Sequence, residues 1–172
     1  AYQLRGAARQ NQEKFLDAAT DYQRSLEIFP EDRITLVNMG IVNIEMEQYD
    51  VAEKFFEVLT RRFPDYTPGY LARSQMYLEM KDTTNALVDL DKAIEIDPYT
   101  SQSFSFRGLL YFQKEEYNKA LADFDEAMAK VCLDVSMERH CGYFEPHYSP
   151  LGMVSNQVGK DLMATRYIIG PG

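Results

Sequence analysis

The sequence predicts an all-α fold, an α-solenoid of about four stacked helical hairpins, and three observations carry that prediction. Small residues recur at a step of 34, as Gly6, Gly40, Ser74 and Gly108 in one column and Ala18, Ala52, Ala86 and Ala120 in another. Larger apolar residues keep the same step, as Tyr2, Leu36, Tyr70 and Phe104 and as Tyr22, Phe56, Leu90 and Phe124. Pro30, Pro64 and Pro98 close successive periods. Self-similarity at a fixed period of this length marks an array of repeated supersecondary units. The composition suits such an array, since 172 residues with 45% hydrophobic and 26% charged can bury a core.

Each period reads as two helices, because apolar residues fall at three- and four-residue steps on either side of a short polar break. The repeat array occupies residues 1–132, in units of about 1–32, 33–66, 67–100 and 101–132. The phase places Ala1 inside a first helix already under way, so the chain is expected to be a segment of a longer array. In the second unit, Leu36, Met39, Gly40 and Asn43 mark the first helix, and Ala52, Phe56 and Leu59 mark one face of the second. Asp32 suits the N-cap of that unit, and Thr67 followed by Pro68 suits a cap and a first-turn proline for the third. Pro30, Pro64 and Pro98 end the second helices, because proline lacks the N–H and clashes with the preceding turn. The small columns let paired helices approach, and the large columns fill the space beside them. One hairpin cannot bury its apolar face alone, so neighbours share a core.

These residues resemble the tetratricopeptide repeat family, whose unit carries a large residue, a small Gly or Ala, a Tyr-like residue, Ala, an aromatic, Ala and Pro in that order. The fourth unit supplies Phe104, Gly108, Tyr111, Ala120, Phe124 and Ala127; the third supplies Tyr70, Ser74, Tyr77, Ala86, Leu90, Ala93 and Pro98. The resemblance covers roughly residues 1–132 and implies a right-handed superhelix. Departures are Arg9 and Asn43 at the Tyr-like position, Ser74 for Gly, Leu59 for the second small residue and Cys132 for the final Pro.

The resemblance further implies that the first helix of every hairpin lines a concave groove that holds a partner's peptide or helix. Carried onto this sequence, the candidate partner-binding residues are Val37, Asn38, Ile41, Ile44, Leu71, Gln75, Leu78, Phe106, Leu109 and Phe112. They describe a trough for an apolar or aromatic segment, in the helix-in-groove manner. The competing reading is internal packing, since apolar residues at helical spacing usually belong to a core. One subfamily clamps the acidic tails of cytosolic chaperones with Lys, Asn and Arg. The corresponding positions here are Gln3, Ala7, Asn38, Pro68 and Ala72, or Val37, Ile41, Ala72, Gln102 and Phe106. Only Asn38 fits, and a carboxylate needs cationic donors, so chaperone-tail binding is not expected.

Several functions are excluded. A net charge of −9, from 18 Lys and Arg against 27 Asp and Glu, gives no general hold on nucleic acid phosphates. No apolar run approaches the ~18 residues of a membrane span, and Ala1 to Arg5 do not read as a signal peptide. The pairs Asp89 with Asp91 and Asp123 with Asp125 recur with the repeat, which points to a solvated convex face and not to metal or acid–base chemistry. Cys132, His140, Cys141 and His147 lack zinc-ligand spacing, and neither a catalytic set nor a cofactor site is expected.

From Leu133 the repeat fails, and three prolines and five glycines predict an irregular tail over 133–172 with a capping helix at 155–169, where Val158, Leu162, Met163 and Tyr167 share a side. The reading reached is a non-enzymatic protein–protein interaction scaffold. Its alternatives are a self-associating or autoinhibited module whose groove holds its own or a neighbour's tail, and the recruitment segment of a larger enzyme.

Overall fold

Four hairpins built to one plan make up the helical part of the computed structural model, which describes residues 1–141, 143–149 and 152–158, with side chains over residues 1–132. The pairs are α1 (Tyr2–Gln10) with α2 (Phe15–Ile28), α3 (Arg33–Glu45) with α4 (Tyr49–Arg62), α5 (Thr67–Glu79) with α6 (Thr83–Ile96), and α7 (Ser101–Gln113) with α8 (Tyr117–Cys141). Each helix packs on the next in order, and α3 also packs on α5. The chain is therefore the α-solenoid that the period predicts.

The turn inside each hairpin is the same turn four times. Glu13, Glu47, Lys81 and Glu115 stand 34 residues apart and hold left-handed backbone, with φ of 60°, 57°, 60° and 62°. The amide that follows each donates to the carbonyl five residues back: Lys14 to Arg9 at 2.9 Å, Gln48 to Asn43 at 2.8 Å, Asp82 to Tyr77 at 2.8 Å and Glu116 to Tyr111 at 2.9 Å. This is the Schellman ending, which satisfies the last carbonyls of the first helix and reverses the chain. Between hairpins, α2, α4 and α6 stop two residues before Pro30, Pro64 and Pro98. Asp32 sits at the N-cap of α3, but its carboxylate accepts from Gln3 Nε2 at 3.0 Å and from Thr35 Oγ1 instead of from a helix amide. Thr67 is the first residue of α5, one later than the cap position held by Tyr66.

The small and large columns interlock at measurable distances. A Cβ on Gly6 would lie 2.7 Å from Tyr22 Cε1, one on Gly108 would lie 2.9 Å from Phe124 Cε1, and one on Gly40 would overlap the Phe56 ring. Ser74 is the exception in its column, in the hairpin whose large residue is Leu90 instead of an aromatic, and its hydroxyl donates to the Leu71 carbonyl at 2.7 Å. The cores straddle hairpins: Tyr22 and Ala18 meet Met39 and Val42; Phe56 and Leu59 meet Ala72 and Met76; Leu90 and Ala93 meet Leu110. Stability is thus distributed over nearest-neighbour interfaces.

The tail differs from the irregular segment expected from Leu133. Cys132 replaces the column's proline, nothing stops α8, and the helix runs 25 residues to Cys141. Tyr143–Ser149 (β1) and Gly152–Val158 (β2) then pair antiparallel, with His147 opposite Val154 and Pro146 opposite Ser155. A proline is tolerated there because a strand of a two-stranded sheet has a free edge. The first four residues of the expected capping helix, Ser155 to Val158, are strand; its remainder, 159–169, lies outside the described residues.

Candidate partner-binding groove

The first helices of the second, third and fourth hairpins enclose a groove of about 310 Å³. Val37 and Ile41 of α3, Pro68, Leu71, Ala72 and Gln75 of α5, and Gln102 and Phe106 of α7 line it, with Thr67, Asp97 and Thr100 at the loop ends. A 13-residue helix can serve both core and groove because its side chains at three- and four-residue steps fan over about half its circumference. Leu71 does both, lining the groove while packing with Tyr70, Leu90 and Leu110.

Five of the ten residues singled out from the sequence meet at this groove: Val37, Ile41, Leu71, Gln75 and Phe106. Ile44 is placed in the core with Phe56 and Leu59, and Leu78 packs against the core of the third hairpin. Asn38 is half-buried beside the Tyr22 phenol, which burial pushes up and Asn38 draws back. Leu109 and Phe112 are exposed and stand apart from the groove lining. Thr67, Pro68, Ala72, Asp97, Thr100 and Gln102 line the groove without having been singled out as partner contacts. Pro68, Ala72 and Gln102 occupy positions of the chaperone clamp, which is the signal that could have found them. A second hollow, formed by Ile28, Phe29, Pro30, Glu31, Asp32 and Arg62 where α2 joins α3, holds none of the ten.

The groove carries little charge. None of its lining residues is Lys or Arg, and its one ionisable member is Asp97. The Thr100 hydroxyl and then the Tyr99 amide hold that carboxyl below the usual range, and these bonds fix the loop that leads into α7.

Arginines of α1, α5 and α7 are engaged away from the groove, and Arg33 of α3 is exposed and lies over the Phe63 and Tyr66 rings. Arg5 pairs with Asp21 through Nε at 2.8 Å and Nη2 at 2.5 Å; Arg73 pairs with Asp89 at 2.7 and 2.6 Å; Arg107 pairs with Asp123 at 2.8 and 2.7 Å. Each guanidinium also lies near the aromatic ring three residues earlier, over Tyr2 at 5.3 Å, Tyr70 at 5.8 Å and Phe104 at 5.7 Å. The bond from Arg5 holds the Asp21 carboxyl below its ordinary range. These pairs correct the expected solvated acidic face: Asp89 and Asp123 are 2% and 5% exposed, while Asp91 and Asp125 are exposed. In the second hairpin the same three columns hold Leu36, Met39 and Phe55, an apolar set in place of the stacked ion pair. Among the described residues no three His, Cys, Asp or Glu side chains gather as a metal-ligating set. The side chains of His140, Cys141 and His147 lie outside the described residues.

Family models described as tetratricopeptide repeat match residues 35–66 and 67–100, and a model described as MutL protein matches residues 112–172. Among curated relatives, Protein MutL of Clostridium tetanomorphum is 53% identical over 49 residues, which cover 28% of this chain and 11% of that protein. Hsp70-Hsp90 organizing protein 3 of Arabidopsis thaliana is 28% identical over 82 residues, covering 48% of this chain and 15% of that protein. The chain thus spans a small fraction of the length of either. The solved structure of a thermophilic tetratricopeptide protein of Thermus thermophilus superposes with a TM-score of 0.68 at 23% identity, covering 74% of this chain and 72% of that one.

Proposed function

We propose, from the premise that this chain belongs to the tetratricopeptide repeat family, that it is a non-enzymatic scaffold whose groove holds an apolar or aromatic segment of a protein partner. The carrying observation is the convergence of Val37, Ile41, Leu71 and Phe106 from three successive hairpins on one cleft. Gln75 and Gln102 at the same cleft can each donate to and accept from a peptide backbone, so the site suits an extended or helical segment with an apolar anchor.

The similarity to a Hsp70-Hsp90 organizing protein favours a second reading, capture of an acidic chaperone tail. The groove chemistry weighs against it. An acidic tail needs cationic, multidentate donors, and the arginines of α1, α5 and α7 are bound to Asp21, Asp89 and Asp123. The match of residues 112–172 to a different family supports a further element of the proposal, that the array recruits a partner for the unit fused to it.

The test is selection of a random peptide display library against the full chain, followed by titration of the selected peptides. The selected sequences should be rich in Leu, Phe, Tyr or Trp. Ile41→Glu and Phe106→Glu should each weaken them at least about tenfold while far-UV circular dichroism stays unchanged, as expected for anchors in a desolvated cleft. A synthetic peptide of glutamates ending in aspartate should show no saturable binding. Selected peptides indifferent to both substitutions would overturn the groove assignment, and tight, salt-sensitive binding of the acidic peptide would replace the apolar reading with the second one.

A further inference from the structure

The three helices that line the groove, α3, α5 and α7, carry one base each and two acids in all. The bases are occupied: Arg33 lies over the Phe63 and Tyr66 rings at 5.5 and 4.9 Å, and Arg73 and Arg107 are bound to Asp89 and Asp123. The acids are Glu45, the last residue of α3, and Glu79, the last of α5, both exposed. Neither joins an ion pair among the described residues. Each stands four residues beyond a groove-lining residue, Ile41 or Gln75, which puts it on the same side of its helix about 6 Å further along. The place is unfavourable for a carboxylate, because the free carbonyls at a helix C-terminus already carry partial negative charge. In the outer hairpins the same column holds uncharged Asn11 and Gln113. A third carboxylate stands at the loop end of the groove, where Asp97 occupies a column that elsewhere holds Phe29, Phe63 and Val131. The Thr100 hydroxyl and the Tyr99 amide use two of the about four acceptor positions of Asp97, which leaves others for a donor in the groove.

We infer that the partner segment held in the groove is basic as well as apolar, an apolar or aromatic anchor with lysine or arginine beside it that meets Asp97, Glu45 and Glu79. This inference rests on the reading of the groove as a partner site and adds the sign of the partner's charge. A cleft with apolar walls and charge of one sign concentrates ligands of the opposite sign. Charge complementarity of this kind selects among segments that share an anchor and turns away acidic ones. The chain's net charge of −9 attracts cations everywhere, so the control is a pair of exposed carboxylates on the second helices, Glu57 and Asp125.

The experiment titrates three labelled synthetic peptides with the full 172-residue chain, read by fluorescence anisotropy. All share a central Leu-Phe-Leu, flanked on each side by two lysines, two serines or two glutamates. At low salt the lysine peptide should bind about tenfold more tightly than the serine peptide, roughly twofold for each carboxylate engaged, and the glutamate peptide should bind weakest. Glu45→Gln with Glu79→Gln should cut the lysine preference about fourfold. Asp97→Asn, whose amide oxygen can still accept from Thr100 and Tyr99, should cut it about twofold. Glu57→Gln with Asp125→Asn should leave it unchanged, and salt near 0.5 M should erase it, as screening of exposed charges requires. Lysine and serine peptides bound alike, both weakened by Ile41→Ser, would overturn the inference and leave the apolar groove standing. A preference lowered as much by the control pair as by the Glu45 and Glu79 pair would also overturn it, by assigning the preference to net charge. No saturable binding of any of the three peptides would remove the groove reading and the inference with it.

Discussion

Arg73 and Asp89 form a bidentate pair with Asp89 almost wholly buried, and the second hairpin solves the same geometric problem with Met39 and Phe55. The protein therefore contains both a buried ion pair and its apolar substitute in equivalent places. Arg73→Met alone should cost roughly 3 kcal/mol, because it strands a buried carboxylate, and Arg73→Met with Asp89→Phe should recover most of that loss. Urea unfolding of the three proteins checks this; a double variant no more stable than Arg73→Met would show that the Met–Phe pair depends on its own surroundings. The sequence hid this arrangement for a physical reason. An aspartate reads as solvent-facing by type, and its partner lies sixteen residues away on the other helix of the hairpin. The legible sign was the Arg column itself, Arg5, Arg73 and Arg107, at multiples of the 34-residue step.

At the scale of the element, the hairpins were legible because proline ends each second helix in step with the apolar columns, whereas the left-handed residue that ends each first helix gave no sign in the sequence. The left-handed position is held by Glu13, Glu47, Lys81 and Glu115, each of which bears a Cβ in a region that favours glycine. Glu47→Gly should therefore raise stability by about 0.5–1 kcal/mol, whereas Glu57→Gly, at an exposed position inside α4, should lower it by about 1 kcal/mol. Chemical denaturation measures both, and a loss at Glu47 would refute the left-handed assignment. The overrun of α8 and the β-hairpin were less legible. Cys132 marks the missing stop, but nothing local says how far a helix continues once its stop is gone. Pro146, Pro150 and Gly152 suggest loop, and Val154 and Val158, four residues apart, fit one helical face as well as one strand face, so the pattern alone favours helix where pairing with β1 makes strand. The groove was legible as a face and not as a boundary. Ile41 and Ile44 are one turn apart on α3, and the reach of α4 and α5 decides that Ile44 is buried in the core while Ile41, packed at its margin, lines the cleft.

For the whole molecule, the decisive property is that no hairpin owns its core. The cluster around Phe56, Leu59, Leu36 and Met76 joins the second and third hairpins, and the clusters on either side join these to their outer neighbours. The middle hairpins thus have two shared interfaces each, while the first has one within this chain. In a nearest-neighbour array, opening from an end breaks one interface, and opening the middle breaks two or unfolds an entire side. Native-state hydrogen exchange should accordingly show the slowest amides in α4 and α5 and faster exchange outward to α1. Uniform protection from α1 to α8 would mean that the array unfolds as one cooperative unit and that interface counting fails for it. A gradient falling from α4 and α5 toward α1 would keep the nearest-neighbour description.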